Sequence, residues 1–213
     1  MYEHEINRDQ IVSTEEELRA LIGFPGELIE RKSITHLDAH CRDFIARSPF
    51  VLLSTSNELG QCDVSPRGDG PGFVHVLDDR HLVIPERPGN KRIDSLRNII
   101  ANPHAGMLFM IPGLGETLRV NGRASITKDE RLLSRMAVKD RAPVLGIIVE
   151  VVECYMHCAK AFFRSQLWKS ESWLGKEQLP SPAAIIAAHV SMEGVTADTI
   201  ADRLGDSYKN RLY

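Results

Sequence analysis

Between Phe50 and Met156 the chain reads as short extended runs separated by turn residues, and this pattern constrains the fold more than any other feature. FVLLSTS at 50–56 is rich in β-formers, NELG at 57–60 is turn chemistry, and QCDVS resumes an extended run, so the three together predict a hairpin. After the glycine-rich RGDGPG come FVHVL, a DDR turn and HLVIP, then a helical stretch, then AGMLFMIP and TLRVNGRASIT. GIIVEVVECYM adds a strand in which no Gly or Pro intervenes from Ile147 to Met156. About six strands result, enough to close a small barrel and hide its edges. The fold class is therefore mainly β with flanking helices (α+β).

The ends of the chain differ in kind. Ser13 and Glu16 have capping-box spacing ahead of Leu18, Leu21 and Ile22, and Asp38–Ala46 carries Cys41, Phe44 and Ile45 at helical spacing. After residue 156, CAKAFFRSQLW reads as helical or irregular. Ser181 and Pro182 open another helix, and TADTIADRL suggests a last one. The expected organisation is an N-terminal helical segment at 1–47, a β core at 48–156, and a C-terminal helical extension at 157–213 that packs on the barrel and on a dimer interface.

Composition narrows the function. A formal net charge of -3 lacks the excess of cations that nucleic-acid phosphates require, so any bound anion must be gripped locally. No apolar stretch approaches the roughly 18–20 residues that span a bilayer, and MYEHEINRDQ lacks the order of a signal peptide. A soluble cytoplasmic protein with no nucleic-acid or membrane partner is expected. Cys41, Cys62, Cys154 and Cys158 are too few and too irregular for a disulfide scaffold and read as reduced thiols.

The most informative segment is PGNKRIDSLRNIIANP at 88–103. Gly89 and Asn90 suit a turn into a helix whose buried stripe would be Ile93, Leu96, Ile99 and Ile100. Lys91 and Arg92 would then occupy the first turn, where the helix dipole disfavours cations. Either they point into water or something negative compensates, and a phosphate suits a helix start. Arg67, within VSPRGDGPG at 64–72, ends a strand beside small residues where a planar ligand or phosphate can approach, and Ser65 adds a hydroxyl. The same segment is not a dinucleotide fingerprint, because it lacks the G-x-G-x-x-G order. A plain surface turn is the alternative. Cys154, His157 and Cys158 are only three soft ligands with no second pair at zinc-like spacing, so no metal site is expected. Packing with some ligand contact is the expected role of that segment. Asp38 is read as a helix cap, with His36 and His40 solvated beside it.

The ordered set from LSTSNELG through VSPRGDGPG, HLVIPERPGNKR and NIIANP to LRVNGRASI resembles the core of the pyridoxamine 5'-phosphate oxidase-like flavoproteins, most closely a bacterial subgroup. It covers roughly residues 45–153. The resemblance implies an FMN-binding split β-barrel, a homodimer with FMN held noncovalently at its interface, and FMN-dependent oxidoreductase activity on an unknown small-molecule substrate or electron donor. The phosphate would be held by Arg67, Asn90, Lys91 and Arg92. Ser65, Ile84 and Pro85 would line the flavin and ribityl chain, with Thr117 and Arg119 reaching the pyrimidine edge. Thr117 departs from the amide found in the oxidase proper. Lys160, Arg164 and Trp168 would belong to the wall facing the partner. No side chain stands out as a general acid or base, so the catalytic residues stay unassigned. The R-x-H element of the oxidase proper is missing, since Arg203 and Arg211 are followed two positions on by Gly205 and Tyr213. Pyridoxamine phosphate oxidation is thus disfavoured, and the rival reading is a non-enzymatic flavin- or haem-binding protein.

Overall fold

The computed structural model describes residues 7–213. Two compact units divide the chain, Met1–Ser33 and Ile34–Tyr213. In the first, α1 (Glu15–Ile22) and α2 (Glu27–Arg31) each lack a buried residue. The cap of α1 is Thr14, whose side chain accepts from the Glu17 backbone N–H, one position later than the Ser13/Glu16 spacing suggests. Glu17 in turn accepts from the Ser13 backbone at 3.2 Å.

The second unit runs α3 (Ala39–Arg47), β1 (Phe50–Ser56), β2 (Cys62–Gly68), β3 (His75–Val76), β4 (His81–Glu86), α4 (Asp94–Ala101), β5 (His104–Met110), β6 (Thr117–Thr127), α5 (Glu130–Ser134), β7 (Leu145–His157), α6 (Lys160–Ser165), α7 (Pro182–Val190) and α8 (Ala197–Asn210). The strands form one seven-stranded antiparallel sheet in the order β2-β1-β5-β6-β7-β4-β3. Among the described residues no helix is long and apolar enough to cross a membrane.

Period-two alternation turns one face of the sheet inward. Val51, Leu53 and Thr55 of β1, Ala105, Met107 and Phe109 of β5, and Leu118, Val120 and Ala124 of β6 are all buried. A β-bulge interrupts β6 and β7, because Asn121 pairs with Glu153 while Gly122 pairs with Val151, leaving Val152 unmatched. The bulge shifts the inward phase of β7 from Ile147, Val149 and Val151 to Cys154. It also explains Gly122, whose missing Cβ would collide with the Glu150 carbonyl and lie 2.7 Å from Val149.

Two helices complete this core. Leu37, Cys41 and Ile45 from α3 and the residues before it join the same cluster as Leu96 and Ile99 of α4. Asp38 caps α3 by accepting from the Cys41 N–H at 2.8 Å, as its position in the sequence predicts. The sulfurs of Cys41 and Cys154 lie 3.5 Å apart inside the core.

The helix read across residues 88–103 is shorter than its sequence suggests. It starts at Asp94, and Ile93 sits ahead of it in a left-handed conformation with φ 56°. Its buried face is Ser95, Leu96 and Ile99, whereas Ile93 and Ile100 are exposed. Lys91 and Arg92 are thus in the loop before the helix rather than in its first turn.

Candidate functional site

Alternation along β2 places Asp63, Ser65 and Arg67 on one half-buried side of that strand. This side faces the start of α4, where Ser95 is 3% exposed. Ser95 Oγ donates to Asp63 Oδ2 at 2.5 Å. It lies 3.0 Å from Ser65 Oγ and accepts from Arg67 Nη2 at 3.3 Å. Because the Ser95 proton is committed to Asp63, the Ser65 hydroxyl is the donor between the two serines. Arg67 Nε donates to Ser65 at 3.3 Å, and Nη1 forms a short ion pair with Glu86 at the end of β4. One guanidinium therefore ties β2, β4 and α4 together.

These groups line a cavity of about 990 Å³, closed on other sides by Pro85, the loop from Arg87 to Ile93, residues 141–145 and Tyr213. The loop is held by polar contacts. Asn90 Oδ1 accepts from the Arg92 N–H at 3.0 Å, and Arg92 Nε donates to Asp94 Oδ2 at 2.8 Å. Lys91 and Ile93 both have positive φ, 63° and 56°. That conformation is costly for a side chain with a Cβ, most of all a β-branched one, and such strain clusters where ligands are clamped. Lys91 forms no ion pair among the described residues.

A second pair stands beside the first. Arg87 Nε donates to Asp69 Oδ2 at 2.8 Å, with both side chains largely buried. Burial pulls the Asp69 carboxyl up, but the Gly70 N–H, the Tyr213 hydroxyl and Arg87 outweigh it and hold it below the usual carboxylate range. His75 is held below its ordinary value by burial and by the charges of Arg135 and Arg87, so it favours the neutral form.

Of the residues singled out in the sequence, Ser65, Arg67, Pro85, Asn90, Lys91 and Arg92 converge on this one cavity. Ile84 is fully buried in the core and does not line the cavity. The others lie elsewhere in the chain. Thr117 is buried at the start of β6, opposite His157. Arg119 alternates with buried Leu118 and Val120, and its Nη1 donates to Tyr155 Oη at 2.9 Å. Trp168 stacks on Phe162 with centroids 5.7 Å apart and donates to the Leu114 carbonyl at 2.9 Å. Lys160 and Arg164 are exposed on α6. Phe163 is also exposed, and Cys158 is exposed while Cys154 is buried.

The sequence reading did not anticipate Asp63, Glu86, Ser95, Arg87 or Tyr213. The charge compensation expected for residues 90–92 also differs. Asp94 partners Arg92 and Glu86 partners Arg67, so of these three cations only Lys91 is left without a carboxylate among the described residues. Asp94 at the helix start was the local signal, since an acid there suits the dipole.

The sequence model of the pyridoxamine 5'-phosphate oxidase family matches residues 37–158, more than half of the chain. No curated protein matches it. Among solved structures, HupZ from Group A Streptococcus is 17% identical with a TM-score of 0.47, over 56% of this chain and 92% of that one. General Stress Protein 26 from Bacillus anthracis is 20% identical, TM-score 0.38, over 55% and 93%. The heme storage protein HutZ from Vibrio cholerae is 13% identical, TM-score 0.38, over 57% and 93%. With its antiparallel sheet, flanking helices and this match across the whole β core, the chain belongs to the pyridoxamine 5'-phosphate oxidase family.

Proposed function

We propose that this protein is an FMN-dependent oxidoreductase, a cytoplasmic homodimer that holds FMN noncovalently in the cavity bounded by β2, β4 and the start of α4. The observation that carries this reading is the convergence of Arg67, Asn90, Lys91 and Arg92, four residues from two separate segments, on one concave wall. Five cationic side chains line the cavity against three side-chain carboxylates, and Asp69 pairs with Arg87 behind the wall. That balance suits a phosphate monoester gripped locally by a protein of net charge -3. Lys91 offers its ammonium without breaking any ion pair. Arg67 and Arg92 offer N–H groups beyond those committed to Glu86 and Asp94. Ser65 braces Arg67 through its hydroxyl oxygen, and Pro85 supplies apolar wall.

Bound FMN would supply electron transfer through its isoalloxazine ring, and the chain's own task is to bind, orient and shield it. Thr117, Arg119, Lys160, Arg164 and Trp168 lie outside the cavity of their own chain. In this proposal they complete the site from a second copy, as the split-barrel homodimer implies. The haem alternative has less support in this cavity, whose wall presents cations and hydroxyls rather than imidazoles or thiolates.

The test is direct. The purified protein should be yellow or should quench added FMN fluorescence at one site per chain, and Lys91→Ala should weaken binding about tenfold, by loss of one charge-assisted contact. Light scattering should report a dimer. Absence of any FMN binding, or binding untouched by loss of Lys91, overturns the assignment. Turnover of pyridoxamine phosphate with oxygen should not exceed a trace.

A further inference from the structure

Tyr213 lies in the wall of the same cavity, although the family match ends at residue 158. Its hydroxyl donates to Asp69 Oδ1 at 2.8 Å, and its backbone oxygen accepts from Arg141 Nη1 at 2.6 Å. The Arg87 guanidinium and Lys139 ammonium stand 5.7 and 5.4 Å from the ring centroid. Both distances fall within reach of a cation–ring attraction. Leu212, immediately before it, is 57% exposed, and α7 and α8 bury only Ala183 and Ile200. Beyond the Arg211–Asp206 ion pair, the segment after α8 is therefore held by the side-chain and backbone contacts of Tyr213 rather than by apolar burial of its neighbour.

The anchor is rigid. The Asp69 side chain is 8% exposed and is already fixed by Arg87 and by the Gly70 N–H. Asp69 follows Arg67 by two residues, and Arg87 adjoins Glu86, so the grip on Tyr213 and the Arg67–Glu86 pair share the same two backbone segments. Val138 and Arg141 are bridged across a tight turn whose two central residues, Lys139 and Asp140, have positive φ. Releasing Tyr213 breaks its hydrogen bonds and ring contacts but leaves the Arg87–Asp69 pair intact. The segment can thus come away without dismantling the wall.

We propose that Tyr213 is a ligand-retaining latch that closes one side of the cavity and sets how fast a bound flavin phosphate leaves. This rests on the cavity being the FMN site. Tyr213 is a positioning residue of the wall and takes no part in electron transfer.

Full-length wild type, Tyr213→Ala and Tyr213→Phe are compared by stopped-flow FMN dissociation and, without FMN, by hydrogen exchange. Dissociation from Tyr213→Ala should be about tenfold faster and from Tyr213→Phe about threefold, because the first loses ring and hydroxyl and the second only the hydroxyl. In the unliganded proteins, amides at 139–142 should exchange faster in Tyr213→Ala than in wild type. An unchanged dissociation rate in Tyr213→Ala overturns the latch. Should no form bind FMN, flavin binding itself is refuted and the exchange data alone decide. Faster exchange at 139–142 then supports Tyr213 as a closure of the cavity, and unchanged exchange overturns it.

Discussion

Glu86→Gln separates two roles that the Arg67–Glu86 pair could have, a strut for the fold and a competitor for an incoming phosphate. The pair is 16% and 23% exposed at its two side chains, so solvent screens it only partly. A carboxylate about 6 Å from a phosphate, at an effective dielectric of about 20, repels each unit of charge by about 3 kcal/mol. Salt and residual exposure cut this to roughly 1–2 kcal/mol, so neutralising Glu86 should tighten FMN binding about tenfold. Gln keeps an acceptor for Arg67 but removes the charge assistance, which costs the unliganded protein about 1 kcal/mol and roughly 2–4 °C in melting temperature. Arg67→Ala should do the opposite at the ligand, weakening FMN about a hundredfold. It should also cost the fold about 3 kcal/mol, because the half-buried Glu86 carboxylate is left without its cation. Fluorescence titration with FMN and thermal unfolding, each on both variants, read the two quantities separately. Glu86→Gln with affinity no higher than wild type and an unshifted melting temperature would refute the electrostatic account of this cavity.

Other outcomes follow from the same geometry. Lys91→Gly should raise the melting temperature by a few degrees, because glycine accepts φ 63° without the roughly 1 kcal/mol strain of a Cβ, while FMN affinity falls. Gly122→Ala should cost about 3 kcal/mol, or about 10 °C, by driving a methyl into the Glu150 carbonyl at the bulge; a wild-type melting curve would contradict that packing. The Tyr213–Asp69 bond predicts a stability plateau with two limbs. The hydrogen bond to Asp69 raises the Tyr213 phenol, so its contribution is present below about pH 10 and lost as pH climbs through the folded value. Asp69 is depressed, so its contribution is present above about pH 4 and lost as pH falls. Urea unfolding across pH should show both limbs, and Tyr213→Phe should lack the alkaline one.

Strand positions were legible because alternation in FVLLSTS, HAGMLFM and TLRVNGRA is the direct imprint of a one-sided sheet. Val51, Leu53 and Thr55 point inward as that period requires. The run FVHVL, read as extended, forms only the two-residue β3 at His75–Val76, and seven strands form where about six were expected. The start of α4 was misplaced for a different reason. No local propensity assigns a left-handed backbone to a lysine or an isoleucine, yet Lys91 and Ile93 both adopt it, so the helix begins later and its buried face turns to Ser95, Leu96 and Ile99.

The cations of the cavity could be named from sequence, but their partners could not, and that difference carries the chemistry. Arg67, Lys91 and Arg92 stand out locally, whereas Glu86 reaches Arg67 across 19 residues and Tyr213 reaches Asp69 across 144. With carboxylates already on Arg67 and Arg92, an anion is not needed to make the empty wall stable. Binding instead exchanges or shares existing ion pairs, so affinity is the difference between two well-satisfied arrangements rather than relief of an unpaired charge. Lys91, strained and unpaired among the described residues, is the one cation whose charge and conformation are both left for a ligand to satisfy, and its replacement should therefore raise stability and lower affinity at once.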